Sequence, residues 1–109
     1  MTNVVATDEF IAWYRELSDS ASEDVNVAIE LLELRGTTLG FPYSSAIIGA
    51  TFALRELRVQ SSGKPIRIFY AFDPRRQAVL LVGGDKTGNK RFYVKMIRQC
   101  ERIWKECCK

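Results

Sequence analysis

The stretch Ile66-Arg67-Ile68-Phe69-Tyr70-Ala71-Phe72-Asp73-Pro74-Arg75-Arg76-Gln77-Ala78-Val79-Leu80-Leu81-Val82 decides the fold. Two apolar runs rich in β-branched and aromatic residues, 66–72 and 78–82, flank the turn-forming Asp73-Pro74-Arg75-Arg76. So short a connection between strands makes an antiparallel hairpin. Upstream, residues 51–59 read as another strand, with a turn between Ser61 and Pro65, so the three runs predict an antiparallel meander. The period of two divides each strand into two faces. Ile66, Ile68, Tyr70 and Phe72 share one face, and Arg67 points to the other with Phe69 and Ala71. Arg58 lies on the face of Glu56, and Arg55 on the opposite one. The apolar phase slips between Leu54 and Leu57, which predicts a bulge there.

Helices flank this meander. Residues 3–6 form a short edge strand, and Thr7 is the N-cap of a helix over 8–17, with Asp8 and Glu9 at the positive end of its dipole. Phe10, Trp13, Tyr14 and Leu17 fall at i, i+3, i+4 and i+7, a single buried stripe. Ser20 and Glu23 make a capping-box pattern for a second helix, whose stripe is Val25, Ala28, Ile29 and Leu32 and whose stop is Gly36. The two helices read as a hairpin. Residues 36–49, rich in Gly, Ser, Thr and Pro, read as a loop. After Gly83-Gly84 another loop leads to a final helix from about Asn89 to the end of the chain. In it Tyr93, Met96, Ile97, Cys100, Ile103, Trp104 and Cys107 follow helical spacing. Arg91, Lys95, Arg98, Arg102, Lys105 and Lys109 make a basic stripe on the opposite face. The expected class is α+β: a short N-terminal strand, a two-helix hairpin, an antiparallel β-meander and a C-terminal helix.

Composition limits what such a fold can do. At 109 residues the chain is expected to form one domain over 1–109, and its 47% hydrophobic and 27% charged residues are ordinary globular values. No apolar run approaches the roughly 18 residues of a membrane span. The first ten residues hold Asp8 and Glu9 but no Lys or Arg, unlike a signal peptide. The expectation is a cytoplasmic protein with no membrane partner. There is no His, which removes Ser-His-Asp and Cys-His triads and most zinc enzymes. Cys100, Cys107 and Cys108 fit neither a disulfide framework nor a zinc motif, and read as packing or surface thiols. Proton transfer would fall to Lys, Tyr, Glu, Asp or Arg, with no metal and no cofactor. Residues 1–54 carry two basic and eight acidic residues and residues 55–109 fourteen and five, so the halves differ as −6 and +9. That step suggests a polyanion such as nucleic acid as partner of the C-terminal half, against a fold whose halves simply attract each other.

A meander that brings Arg58, Arg67 and Lys86 to one side would make a cationic concavity. Such a cluster can hold a scissile phosphate and stabilise the charge that builds up during its cleavage; the alternative is ordinary solvated charge. Lys86 lies in Gly83-Gly84-Asp85-Lys86-Thr87-Gly88, which lacks the spacing of a nucleotide-binding P-loop. Tyr93 opens the last helix, either as a core aromatic or with its hydroxyl reaching back over the sheet toward the phosphate. Its neighbour Phe92 is placed to stack on an RNA base. Lys90, Arg91 and the stripe beyond them would bind phosphates without sequence preference.

The chain resembles the RelE/ParE toxin superfamily, and within it the phage-derived, HigB-type branch of type II toxins. The resemblance rests on Glu56-Leu57-Arg58, on Ile66-Arg67-Ile68-Phe69-Tyr70-Ala71-Phe72, on Val79-Leu80-Leu81-Val82 leading to Lys86-Thr87, and on Leu39-Gly40-Phe41-Pro42 after the helical hairpin. It implies a metal-independent, ribosome-dependent mRNA endonuclease, neutralised by a co-encoded antitoxin of helix-turn-helix type. In that chemistry the ribose 2′-hydroxyl attacks its own 3′-phosphate and leaves a cyclic phosphate and a free 5′-hydroxyl. Carried over, Arg67 would hold the phosphate, Arg58 would support it, Lys86 would activate the nucleophile or stabilise charge, and Tyr93 would stand for an aromatic hydroxyl at the start of the final helix. The chain departs from the family pattern after the last strand. Gly84-Asp85-Lys86-Thr87-Gly88-Asn89-Lys90 has one Lys before Thr and no Pro, and the His that some relatives use is absent. A gyrase-binding branch of the same superfamily keeps the fold without nuclease chemistry. A basic RNA-binding module without activity is the other alternative.

Overall fold

The computed structural model describes residues 1–107; the predicted helical positions Cys108 and Lys109 lie outside the described residues. In order, the elements are β1 (Val4–Ala6), α1 (Asp8–Arg15), α2 (Asp19–Arg35), a 3-10 turn (Gly36–Thr38), β2 (Ser44–Ala46), β3 (Arg55–Ser61), β4 (Lys64–Phe72), β5 (Ala78–Asp85) and α3 (Phe92–Cys107). The strands form one mixed sheet in the order β1-β5-β4-β3-β2. β3, β4 and β5 are the antiparallel meander, and β1 joins β5 in parallel at the far edge.

Each face of the sheet is buried under helices. Ile66, Ile68 and Tyr70 of β4 and Leu57 and Val59 of β3 pack with Phe10, Val25 and Leu32 of α1 and α2. Phe69, Val79, Leu81 and Val82 pack on the other side with Phe92, Met96, Cys100 and Ile103 of α3. The alternation of β4 is thus a choice between two apolar layers rather than between core and water. Thr7 holds α1 to the sheet at both ends of its hydroxyl: Oγ1 accepts from the Phe10 amide at 3.1 Å and donates to the Leu81 carbonyl at 2.7 Å.

Several boundaries differ from the sequence reading. The segment read as a loop contains β2, which pairs Ser44 with Leu57 and Ala46 with Arg55. The strand expected over 51–59 begins at Arg55 and runs on to Ser61, because a tight bond from the Leu54 amide to the Phe52 carbonyl turns the chain just before it. The second helix is capped by Ser18, whose hydroxyl accepts from the Ala21 amide at 3.1 Å, and Ser20 lies within its first turn. The bulge sits elsewhere than at Leu54–Leu57. Phe69 pairs with Val82 and Tyr70 with Leu80, so Leu81 is the extra residue, and Leu81 and Val82 both face α3. β5 continues through Gly83 and Gly84, where a side chain would collide with the Trp13 ring on one face and with Phe92 on the other.

Candidate functional site

α3 starts at Phe92 and covers only part of its face of the sheet. Near its first turn, the positions of β3 and β4 that would continue the apolar layer are Glu56, Arg58 and Arg67. Glu56 is the centre of this group. Its side chain is 5% exposed and its carboxylate is met from four sides. The Tyr93 hydroxyl donates to Oε1 at 2.7 Å and the Ser45 hydroxyl to Oε2 at 2.8 Å. Arg58 Nη1 lies 3.4 Å from Oε2, and Arg67 Nε 3.5 Å from Oε1.

Arg58 and Arg67 face each other directly across β3 and β4. The Arg58 amide donates away from β4, to the Tyr43 carbonyl, so this is the closer, non-hydrogen-bonded kind of pair, with Cα atoms about 4.5 Å apart. Like charges so placed destabilise a sheet, and the shared carboxylate of Glu56 offsets them. The two arginines are held differently. Arg58 is one-third exposed and its guanidinium lies 5.3 Å from the centre of the exposed Phe41 ring. Arg67 is 6% exposed and donates from Nη1 to the Ile66 carbonyl at 3.1 Å, while its buried Nε meets no hydrogen-bond acceptor. Pro42, Arg58, Val59, Gln60 and Arg67 line a shallow pocket of about 210 Å3 beside the pair.

Lys86 follows the end of β5. Its amide donates to the Pro65 carbonyl at 3.0 Å, and the Asp85 carboxylate takes both the amide (2.9 Å) and the hydroxyl (2.6 Å) of Thr87. Those two Thr87 bonds, the hydroxyl's first, hold the Asp85 carboxyl below its ordinary pKa. The turn so fixed puts Lys86 Nζ 5.3 Å over the Tyr93 ring. Burial, and then the hydrogen bond to Glu56, push the Tyr93 phenol above its ordinary value, so it stays a protonated donor at neutral pH.

Of the residues singled out in the sequence, Arg58, Arg67, Lys86 and Tyr93 are thus linked into one group through Glu56 and the Tyr93 ring. Lys90 and Arg91 are exposed on the turn into α3. Phe92 is corrected: its ring is buried, 5.9 Å from that of Phe69 and packed over Gly84, so it is not open to an RNA base. Arg67 is also more enclosed than an open cationic concavity requires. Glu56 is the residue the sequence reasoning missed. Its signal was present in the shared face with Arg58, but alternation cannot say that three charged positions on one face are roofed over. Burial pushes the Cys100 thiol up to about 12, aided by the negative charge of Glu101, which leaves it an inert packing group. Among the described residues no three His, Cys, Asp or Glu side chains gather as metal ligands, and no helix is long and apolar enough to cross a membrane.

Residues 12–105 match the family model described as "Phage derived protein Gp49-like (DUF891)". The chain is 46% identical over 92 residues to "Putative toxin HigB3" of Mycobacterium tuberculosis (strain ATCC 25618 / H37Rv), covering 83% of this chain and 79% of that protein. It is 37% identical over 98 residues to "Putative toxin HigB2" of the same organism, covering 87% of this chain and 49% of that protein.

Proposed function

The chain belongs to the phage-derived Gp49-like family, and from that premise we propose that it is the toxin of a toxin–antitoxin pair, acting as a metal-independent, ribosome-dependent mRNA endonuclease. The observation that carries the nuclease reading is the cross-strand pair Arg58–Arg67, gathered with Glu56, Tyr93 and Lys86 beside a shallow pocket. A phosphate suits the pair, since an arginine fork matches phosphate geometry.

Cleavage by the neighbouring 2′-hydroxyl needs three things: a base for that hydroxyl, positive charge on the phosphate, and an acid for the 5′-oxygen that leaves. Glu56 takes the proton of the 2′-hydroxyl as the new O2′–P bond forms. Arg58 and Arg67 hold the non-bridging oxygens as their negative charge grows. Lys86 or the protonated Tyr93 gives a proton to the 5′-oxygen as the P–O5′ bond breaks. The products are a 2′,3′-cyclic phosphate and a 5′-hydroxyl, so no metal-bound water enters the reaction. Lys90 and Arg91 flank this path and attract the RNA backbone.

Expression of the chain alone tests the reading. It is expected to arrest growth and to yield truncated translated messages whose 5′ ends ligate only after phosphorylation. Arrest with intact messages would favour the non-catalytic, gyrase-binding alternative, and truncated messages with 5′-phosphates would remove the proposed chemistry.

A further inference from the structure

Most aromatic side chains of this chain are packed. Phe10, Phe69, Tyr70 and Phe92 are buried, and Phe52 and Trp104 stack on each other with ring centres 4.9 Å apart and planes 2° from parallel. Phe41 and Tyr43 are the exposed ones among the described residues, at 76% and 53%. Tyr43 lies toward α2, where it walls a hollow with Val27, Ala28 and Leu31. Phe41 lies at the candidate site: its neighbour Pro42 lines the Arg58–Arg67 pocket, and the Arg58 guanidinium sits over its ring. One face of the ring is thus taken by a cation, and at 76% exposure the other is left to solvent.

The turn that carries Phe41 is tied down on both sides. Before it, Leu39 is buried and its carbonyl accepts from Arg55 Nη2 at 3.4 Å. After it, the amides of Tyr43 and Ser44 both donate to the Gly40 carbonyl, at 3.1 and 3.0 Å, and the Tyr43 carbonyl accepts from the Arg58 amide at 2.9 Å. The buried Ser44 hydroxyl is joined to that of Tyr70 at 2.6 Å. An exposed ring on so anchored a turn adds little to the core, but it loses little freedom when a flat partner settles on it.

We propose that Phe41 is the stacking platform for one base of the RNA, that of the nucleotide on the 5′ side of the cut, whose 2′-hydroxyl attacks. The proposal rests on the nuclease reading above and adds the part of the substrate that the charged groups leave unbound. A base reaches such a ring only when it is unpaired and unstacked, so the strand is single. Every base has a π-face, so the platform holds the strand without choosing its sequence. The contacts of the site run in one order: Phe41 to Arg58, Arg58 to Oε2 of Glu56, Oε1 of Glu56 to Tyr93, and Tyr93 to Lys86. Phe41 and Lys86 therefore stand at opposite ends of the group. In-line displacement puts the attacking and the leaving oxygen on opposite sides of phosphorus. With Lys86 or Tyr93 at the leaving 5′-oxygen, the attacking ribose and its base fall at the Phe41 end. Arg58 then serves both parts of the nucleotide, holding the phosphate with its N–H groups and the Phe41 ring with its flat face. A base stacked there fixes the ribose that must present its 2′-hydroxyl to Glu56.

The test uses the full chain on purified ribosomes carrying a synthetic message, with kcat and KM measured separately. Phe41→Ala is expected to lower kcat/KM on the order of tenfold, the size of one lost base–aromatic stack. Phe41→Trp should keep the parent rate, and Phe41→Leu should behave as Phe41→Ala. A message that is abasic at the nucleotide 5′ of the cut should lose about the same factor with the parent chain and nothing more with Phe41→Ala. Ile48→Ala, 89% exposed beyond β2, should match the parent on both messages. Full activity of Phe41→Ala or Phe41→Leu would overturn the proposal, as would losses that multiply when Phe41→Ala meets the abasic message. A second message, with 2-aminopurine deoxyribonucleotide at that position, lacks the attacking hydroxyl and cannot be cut. Its fluorescence is expected to be quenched by the parent chain and not by Phe41→Ala. The nuclease reading fails separately: a chain that quenches this base but cuts no message keeps the platform. One that cuts but quenches equally with and without the ring loses it. So does unchanged cleavage by Phe41→Ala with weakened binding of the protein encoded by the adjacent reading frame, since that protein would then own the ring.

Discussion

Arg55 and Arg67 sit on neighbouring strands of one sheet, on opposite faces, and they are held by different kinds of partner. Arg55 lies among neutral groups. Its Nε donates to Ser44 Oγ at 3.2 Å and Tyr70 Oη at 3.4 Å, and Nη2 reaches the Leu39 carbonyl at 3.4 Å. The Ser44 and Tyr70 hydroxyls are themselves joined at 2.6 Å, deep in the α2 layer. Arg67 faces a carboxylate that three other side chains also claim, and its Nε is unmatched. The first arrangement is a set of hydrogen bonds to neutral groups and the second a shared ion pair beside a shallow pocket. The difference follows from coverage. α1 and α2 pack along the whole meander, while α3 packs over Phe69 and Val82 and leaves Arg67 beyond its first turn. One alternating pattern becomes packing under a helix and a candidate site where the helix has not yet begun.

Substitutions at four residues break or sharpen that contrast. The largest effect belongs to Arg67. Arg67→Ala removes one of the four groups around the buried Glu56 carboxylate, leaving Arg58, Ser45 and Tyr93, and is expected to cost about 1–3 kcal/mol of stability together with a hundred- to a thousand-fold in cleavage rate, on the order of one lost charge donor. Denaturant unfolding and cleavage on purified ribosomes read the two separately. Arg67→Lys keeps the charge and loses the fork, so it should recover most of the stability and little of the rate; full activity in the lysine variant would remove the phosphate-fork role.

Glu56→Gln comes next. It keeps the shape and an acceptor for Tyr93 but loses the base. A rate drop of about a hundredfold is expected, within the range for general base catalysis. If Glu56 only restrains the two arginines, the rate will hold or rise, and the base must be sought elsewhere.

Arg55→Leu tests the neutral side. Loss of its hydrogen bonds should cost roughly 1–2 kcal/mol and leave per-molecule cleavage unchanged. A rate loss as large as that of Arg67→Ala would end the contrast between the two arginines.

The smallest effect concerns pH. The Tyr93 phenol is raised above 10.0 by burial and by its bond to Glu56. Folding therefore favours its protonated form. That contribution is complete below about pH 10, the unfolded value, and is lost as pH rises through the higher folded value. Tyr93→Phe should accordingly lose stability less steeply above pH 10 than the parent chain, and unfolding curves of equal alkaline slope would show that the hydroxyl is not coupled to folding.

The sequence by itself determined the helices, the meander strands and the faces of β4 and α3, but not β2. Alternation assigned Arg67 and Ile66 to opposite sides of β4, 3.6-residue periodicity assigned Met96, Cys100 and Ile103 to one side of α3, and Thr7 marked the start of α1. These are short-range properties, in which each residue is constrained by neighbours a few positions away. Only the tertiary structure decided what lies beyond that range. Glu56 and Tyr93 are 37 positions apart in the chain and meet at 2.7 Å. β1 joins the sheet in parallel beside β5 rather than beside β2, and the extra residue of the meander falls at Leu81. Periodicity says which way a side chain points but not what comes to stand over it. Whether Arg67 would be solvated, buried in hydrocarbon or paired with a carboxylate depended on where α3 begins relative to β3 and β4, and that is set by the packing of Phe92 against Gly84 and Phe69.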